Sequence, residues 1–404
     1  MYYLIGNPLG HSHSPFIHRA LGRYEYELMP LSEDKLESFI KEGDYEGLNV
    51  TIPYKQTVIP FLDEIDEEAK KIGSVNTVVR RDGKLCGHNT DYHGFFMMAY
   101  SKGISFKDKK VVVLGSGGTS LTACAVARDL GASSVVVISR SGENNYDNLH
   151  LHADADILVN TTPVGMFPHN DACPVDLSVF SKLSGVLDVI YNPLRTKLIM
   201  QAEEKNIPAV SGLYMLVAQA AVSCGLFTND KPQRKEIDDI HRALADHVSN
   251  IVLIGMPGCG KTTVAECLAR MTERRVIDTD ALITERAGKK PADIIKEEGE
   301  DAFRRYEHEA IEEAGKQSNV IIATGGGSVT RNENLAPLRQ NGRIALILRP
   351  LDQLAREDRP LSSGDLRDLY RRRLPQYMHF ADFSVENTST PEACAEEILR
   401  NFHA

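Results

Sequence analysis

The stretch Ile251-Val252-Leu253-Ile254-Gly255-Met256-Pro257-Gly258-Cys259-Gly260-Lys261-Thr262 runs from four apolar residues into a glycine-rich turn that ends in Lys-Thr. An apolar run of this length reads as a buried strand, and the glycines allow a turn whose successive backbone N–H groups face inward. The helix expected from Lys261 onward then aims its positive end at the same point. The pattern is a phosphate-binding loop. The backbone at Gly258, Cys259, Gly260 and Thr263 would cradle a nucleotide, Lys261 would reach its β- and γ-phosphates, and the Thr262 hydroxyl would ligate Mg²⁺. Such a loop opens its own domain, yet about 250 residues precede it, so at least one further domain stands upstream.

Composition sets the class. The 404 residues are 42% apolar and 25% charged, enough for two or three soluble domains. A formal charge of -10 argues against nucleic acid or an anionic membrane as partner, since both demand a concentrated basic footprint. The seven cysteines are scattered without a C-x-x-C pair or a Cys/His metal spacing, which fits a reducing compartment and excludes a zinc motif. The first residues carry no basic, apolar leader, and nowhere do eighteen apolar residues run together, so the expectation is a cytoplasmic protein. No motif speaks to oligomeric state.

Four loops mark residues 1–105. His11-Ser12-His13-Ser14-Pro15 follows a short strand, Tyr2 to Ile5, and precedes a helix expected from Phe16. Its two serines can present hydroxyls to one polar ligand, or Ser14 can simply cap the helix with Pro15 at its first position. Leu48 to Pro53 reads as a strand stopped by its proline, with Lys55 at the mouth. Gly73-Ser74-Val75-Asn76-Thr77 and Gly87-His88-Asn89-Thr90-Asp91 add amides, hydroxyls and a carboxylate that is also a candidate helix cap. In combination and order, Ser12-x-Ser14-Pro15, Asn49-Val50-Thr51-x-Pro53-x-Lys55, Val75-Asn76-Thr77 and Asn89-Thr90-Asp91-x-x-Gly94 resemble the shikimate dehydrogenase family. That resemblance implies a cleft in which Ser12, Ser14, Thr51, Asn76 and Asp91 hold the substrate and Lys55 and Asp91 form the catalytic pair. Reduction of a ketone builds negative charge on its oxygen, and a lysine within hydrogen-bond reach stabilises that charge and delivers the proton.

Residues 106–212 open with Val111-Val112-Val113-Leu114 and the turn Gly115-Ser116-Gly117-Gly118-Thr119-Ser120, then a helix of small residues. This is the strand, glycine turn and helix of a dinucleotide fold. The next strand, Ser134 to Ile138, ends at Ser139-Arg140-Ser141 where NAD-binding folds place an acid, so Arg140 suits the 2′-phosphate of NADP. The resemblance continues through Asn160-Thr161-Thr162-Pro163-x-Gly165, Asp188-x-x-Tyr191-x-Pro193-x-x-Thr196 and Gly212-x-x-Met215-Leu216-x-x-Gln219. It implies that Gly212 lies by the nicotinamide and that Tyr191 and Gln219 face the substrate. Between Arg140 and Asp156 the chain is turn-rich and too short for the helix and strand usual in the family, so a trimmed cofactor domain is expected.

Beyond the phosphate loop, Val276-Ile277-Asp278-Thr279-Asp280 reads as a strand ending on two acids at i and i+2, whose side chains would share one face, or as a turn with helix-capping aspartates. Gly299-Glu300-x-x-Phe303-Arg304-x-x-Glu307 is helical, and Val320 to Ala323 leads into Thr324-Gly325-Gly326-Gly327, where glycines permit close approach to a small ligand. With the phosphate loop, these motifs resemble shikimate kinase. The resemblance implies that Asp280, Arg304, Gly325, Gly326, Gly327 and Arg373 bind shikimate, with Asp280 as base for its 3-hydroxyl. It further implies that Asp278 and Thr262 serve Mg²⁺, that Arg359 of Arg359-Pro360-Leu361 clamps phosphates, and that Arg356 neighbours adenine. The lid around Arg359 is short.

The expected fold is α/β throughout: a discontinuous substrate domain (1–105 and 213–232), a Rossmann-like NADP domain (106–212), a helical connector (233–248) and a P-loop kinase domain with a parallel sheet (249–404). The expected enzyme reduces 3-dehydroshikimate with NADPH and phosphorylates shikimate with ATP and Mg²⁺. The alternative is a quinate or NAD-preferring dehydrogenase joined to a nucleotide-binding regulatory module.

Overall fold

In the computed structural model, which describes residues 1–10, 12–354 and 366–403, three β-sheets organise the chain. Two compact units result: residues 1–192 with 196–244, and residues 193–195 with 245–404. His11, Arg356 and the Arg359-Pro360-Leu361 sequence lie outside the described residues.

The first unit begins with a mixed sheet of β1 (Tyr2–Gly6), β2 (Tyr26–Pro30), β3 (Gly47–Val50), β4 (Glu64–Ile65), β5 (Thr77–Arg81) and β6 (Lys84–His88), in the order β2-β1-β3-β5-β6-β4. Asp82-Gly83 closes the β5–β6 hairpin with both residues at positive φ, 51° and 77°, the two-residue turn whose twist matches the strands it joins. That turn sets Thr77 opposite His88. Asn76 and Asp91 consequently emerge at the same end of the sheet, and the Asn76 N–H donates to the His88 carbonyl at 3.0 Å.

The second sheet is entirely parallel: β7 (Lys110–Leu114), β8 (Ser134–Ile138), β9 (Ile157–Asn160), β10 (Gly185–Asp188) and β11 (Ala209–Ser211), in the order β11-β10-β9-β7-β8. Val111 to Leu114 are fully buried, as a strand covered on both faces requires. β8 is an edge strand. Only a 3₁₀ turn, Leu149–His152, separates it from β9, so the helix and strand that the short sequence cannot accommodate are indeed missing there.

From β11 the chain enters the helix Gly212–Thr228, which packs along the helix Thr90–Ser101. Gly94 makes that packing possible. A Cβ on Gly94 would stand 2.9 Å from both the Met215 carbonyl oxygen and Gln219 Cβ. The helix Arg234–Val248, with Ile237, Ile240, Leu244 and Val248 buried at helical spacing, carries the chain from the first unit into the second.

The second unit has a parallel sheet of β12 (Asn250–Ile254), β13 (Arg275–Asp278), β14 (Val320–Ala323), β15 (Gly342–Leu348) and β16 (Phe383–Glu386), ordered β13-β14-β12-β15-β16. β12 is buried along its whole length at the centre, and the helix Lys261–Thr272 follows it. The expected α/β class, with parallel sheets under both glycine turns, is what the structure has.

Candidate active sites

Ser12, Ser14, Thr51, Lys55, Asn76, Asp91, Tyr191 and Gln219 converge on one cavity of about 450 Å³ in the first unit, together with Thr119 and Gly212. Lys55 Nζ donates to Asp91 Oδ2 at 2.6 Å, both groups only partly exposed. Asp91 is not the helix cap. Asn89 caps the helix Thr90–Ser101 by accepting from the Tyr92 N–H, which leaves the Asp91 carboxylate in the first turn free to face the lysine. Ser14 likewise does not cap. Its helix starts at Ser14 itself, two residues earlier than expected, and Ser12 Oγ accepts from the Ser14 N–H at 3.2 Å and donates to Ser14 Oγ at 3.2 Å. The two hydroxyls are thereby held side by side on the cavity wall.

Beneath the cavity lies a buried polar network that sequence reasoning missed. The Asn76 carbonyl Oδ1 accepts from the Thr90 N–H at 2.7 Å, fixing the start of the helix that carries Asp91. Asn49 Nδ2 donates to Thr77 Oγ1 at 3.0 Å and to Ser223 Oγ at 2.8 Å, and Ser223 Oγ also lies within hydrogen-bond distance of both Thr77 and Thr90. Satisfied throughout, such a network holds one geometry. Asn49 was legible only as part of its motif, and Ser223 had no local signal at all.

Across the cavity, Asp188 supports the turn that bears Val189 and Tyr191. Its carboxylate accepts from Asn160 Nδ2 at 3.0 Å, Thr196 Oγ1 at 2.7 Å and the Ile190 N–H at 3.1 Å. Burial pushes this carboxyl up to about 6 against those three donors, which favour the anion. Asp188→Ala strands all three donors in the interior and is expected to cost roughly 3 kcal/mol. Asp188→Asn, which keeps an acceptor oxygen, should lose less. Denaturant unfolding of the full chain measures both, and equal losses would contradict the account.

The dinucleotide turn fits a pyrophosphate. Gly115 has φ 103°, and a Cβ there would meet Thr161 Oγ1 at 2.8 Å, so only glycine suits. Gly117 and Gly118 face open space, and the helix Gly118–Asp129 starts without a side-chain cap, leaving N–H groups to receive an anion. Thr119 reaches the 450 Å³ cavity, whereas Ser116 stands in the glycine turn. Ser139, Arg140 and Ser141 sit on the turn after β8, away from that cavity, with Arg140 exposed.

The second unit has a cavity of about 730 Å³, lined by the phosphate loop and by Asp278, Asp280, Arg304, Gly325, Gly326, Gly327 and Arg373. Gly258, Gly260, Lys261, Thr262 and Thr263 line it directly, while Cys259 is buried behind the loop. Lys261 Nζ donates to the Gly255 and Met256 carbonyls at 2.9 and 3.2 Å. The two aspartates reach the cavity by a route other than strand alternation. β13 ends at Asp278, which caps the helix Thr279–Ala287, and Asp280 lies in that helix's first turn. Asp278 divides its carboxylate: Oδ1 accepts from the Asp280 and Ala281 N–H groups, and Oδ2 faces Thr262 Oγ1 at 3.4 Å. Two hard oxygens side by side suit Mg²⁺, which takes its remaining ligands from phosphates and water. Among the described residues no cluster of three His, Cys, Asp or Glu side chains could hold a metal without such help.

Arg304 is nearly buried and pairs with Glu307 at 2.6 Å and Glu300 at 2.9 Å. Glu307 Oε1 has no partner, and burial pushes its carboxyl up from the usual range despite Arg304. Arg373 Nη1 donates to the Gly326 carbonyl at 3.1 Å, and the Tyr377 hydroxyl donates to the same oxygen, so the glycine turn is braced from behind. Glu307 and Arg349 also line the cavity, and sequence reasoning gave neither a role.

Comparison with known proteins divides the chain as the two cavities do. Residues 4–78 match the family model for the shikimate dehydrogenase substrate binding domain, and residues 257–403 match the model for shikimate kinase. The shikimate dehydrogenase (NADP(+)) of Clostridium beijerinckii is 38% identical over 239 residues, 54% of this chain and 88% of that one. That of Caldicellulosiruptor bescii is 38% identical over 248 residues, 54% of this chain and 85% of the relative. Among solved structures, a chorismate mutase/shikimate 5-dehydrogenase fusion protein from Clostridium acetobutylicum superposes with a TM-score of 0.58 at 37% identity, covering 60% of this chain and 96% of that one. Shikimate 5-dehydrogenase from Thermus thermophilus, solved with NADP(H) and shikimate, gives 0.54 at 30% identity over 60% of this chain and 98% of its own. Among the described residues no helix is long and apolar enough to cross a membrane. The chain therefore belongs to the NADP-dependent shikimate dehydrogenase family and joins to that enzyme a shikimate kinase domain, which uses ATP and Mg²⁺.

Proposed function

We propose that the protein catalyses two consecutive steps in the cytoplasm, reducing 3-dehydroshikimate to shikimate and then phosphorylating shikimate at its 3-hydroxyl. On this reading residues 1–105 with 213–232 hold the first substrate, 106–212 hold NADPH, 233–248 connect, and 249–404 form the kinase. The observation that carries it is the Lys55–Asp91 pair at 2.6 Å in a cavity that also gathers Ser12, Ser14, Thr51, Asn76, Tyr191 and Gln219. Hydroxyls and amides there match a polyhydroxylated ring. Bound NADPH supplies the hydride, with Gly212 beside the nicotinamide and Arg140 at the 2′-phosphate. Lys55 then donates a proton to the carbonyl oxygen as charge develops, and Asp91 orients the ammonium and accepts from the nascent hydroxyl.

In the second cavity Arg304 and Arg373 meet the ring carboxylate with planar donors, and the Gly325 to Gly327 backbone lets the ring approach closely. Asp280 takes the proton of the 3-hydroxyl. Lys261 steadies the phosphoryl group in flight, Thr262 and Asp278 hold Mg²⁺, and Arg359 and Arg356 contact the nucleotide from the lid. The test is one assay on purified full chain with 3-dehydroshikimate, NADPH and ATP-Mg²⁺. NADPH oxidation, preferred over NADH, should precede ADP release, and shikimate 3-phosphate should accumulate. Absence of NADPH oxidation refutes the first half, and absence of ADP release when shikimate itself is supplied refutes the second.

A further inference from the structure

The nucleotide side of the second cavity contains an arginine that neither the phosphate-loop motif nor the family resemblance marks. Arg349 directly follows β15, which pairs in parallel with β12 so that Leu346 lies beside Ile254. The two strand ends therefore deliver Arg349 and the phosphate loop to one edge of the sheet, and Arg349 lines the cavity together with Gly258, Gly260 and Lys261. A Cβ on Gly260 would stand 3.8 Å from Arg349 Nη1 and 2.6 Å from Asn387 Nδ2. Asn387 has a structural use for its amide, donating to the Cys259 carbonyl at 2.8 Å.

Arg349 has none. It makes no hydrogen bond or ion pair among the described residues, and its Nε is buried without an acceptor. The other two arginines of the cavity differ: Arg304 is paired with Glu307 and Glu300, and Arg373 donates to the Gly326 carbonyl. A buried donor on a permanent cation is costly to leave unmet, so the missing partner is an anion that arrives with a ligand. The helix starting at Lys261 turns its N–H groups toward the same space.

We propose that Arg349 is a phosphate-binding residue that donates to the α- and β-phosphates of the nucleotide. Those are the phosphates a loop of this kind cradles at its glycines, whereas Lys261 extends to the β- and γ-phosphates. The proposal rests on the reading of this cavity as a nucleotide site. It assigns Arg349 a contact that ADP and ATP share.

Calorimetric titration of the full chain with ADP-Mg²⁺, ATP-Mg²⁺ and inorganic pyrophosphate tests it, comparing wild type, Arg349→Ala and Arg349→Lys. Arg349→Ala is expected to weaken ADP and ATP by the same factor, about 10- to 100-fold, and to weaken pyrophosphate too. Arg349→Lys should recover part of the loss. Because no partner among the described residues is removed, the melting temperature of the ligand-free Arg349→Ala protein should not fall, while its rise on adding ADP should shrink. Unchanged ADP affinity overturns the proposal, as does a ligand-free melting temperature that drops in step with affinity. Loss of ADP binding with pyrophosphate binding intact also overturns it, in favour of stacking on the base. Wild-type protein that binds no ADP sinks the nucleotide reading and this proposal with it.

Discussion

Lys55→Ala is expected to lower the turnover of NADPH-dependent reduction by about 10²- to 10⁴-fold, the range that a positioned acid contributes. The side chain removed is the only cation paired with Asp91 among the described residues, at 2.6 Å on the wall of the first unit's cavity. Its loss would remove the ammonium that, on the proposed reading, donates the proton to the carbonyl oxygen, and Asp91 would then face the developing oxyanion as a like charge. The effect should fall on kcat more than on KM, because on the proposed reading Ser12, Ser14, Asn76 and Gln219, which line the same cavity, would still hold the ring. Stopped-flow or steady-state NADPH oxidation measures it. Phosphorylation of added shikimate should stay within about twofold of wild type, since the kinase cavity draws its lining from residues 257 onward. A comparable fall in both activities would refute the assignment of separate sites.

Lys261→Ala should produce the reverse. Phosphoryl transfer to shikimate is expected to fall by about 10³-fold or more, because the transferred group loses the cation that neutralises its charge in the transition state. In the present structure Lys261 Nζ is held by the Gly255 and Met256 carbonyls, at 2.9 and 3.2 Å, so the ammonium is kept at the loop before any phosphate arrives. Replacement frees those carbonyls to water at the cavity edge and should leave the fold intact. ADP release coupled to shikimate measures the loss, and NADPH oxidation in the same sample serves as control. Retention of more than a tenth of the kinase rate would show that Lys261 does not carry the transferred charge.

What the chain discloses in sequence depends on how local the determinant is. The phosphate loop was legible because glycines, Lys261 and Thr262 lie within eight residues and the strand before them is uniformly apolar. The trimmed cofactor domain was legible by length alone, and the structure accordingly leaves β8 at the sheet edge. Asp278 and Asp280 reach the expected cavity through the helix-capping turn that the sequence offered as the alternative to strand alternation. The backbone turns helical at Thr279, which converts Asp278 into a cap and Asp280 into a first-turn residue, where strand alternation no longer applies. Lys55, Asn76 and Asp91, which line one cavity, were singled out only through resemblance, because each taken alone reads as a solvated or capping residue. Ser223 and Arg349 stayed invisible. Their surroundings are made by segments far away in the chain, and no short pattern encodes them.

The network around Ser223 also bears on how the protein is born. Ser223 meets Thr90, Thr77 and Asn49 across 133, 146 and 174 residues of chain. The first sheet is synthesised before the second, yet its bonds to Ser223 cannot form until the entire second sheet and the helix Gly212–Thr228 have been made. Contacts of such long sequence separation form late and slowly. The nascent dehydrogenase thus spends its synthesis with an unsealed lobe, the interval in which folding assistants would bind it. The second unit has a tie of similar span, since Asn387 Nδ2 donates to the Cys259 carbonyl across 128 residues, but its sheet is wholly encoded downstream of the first closure.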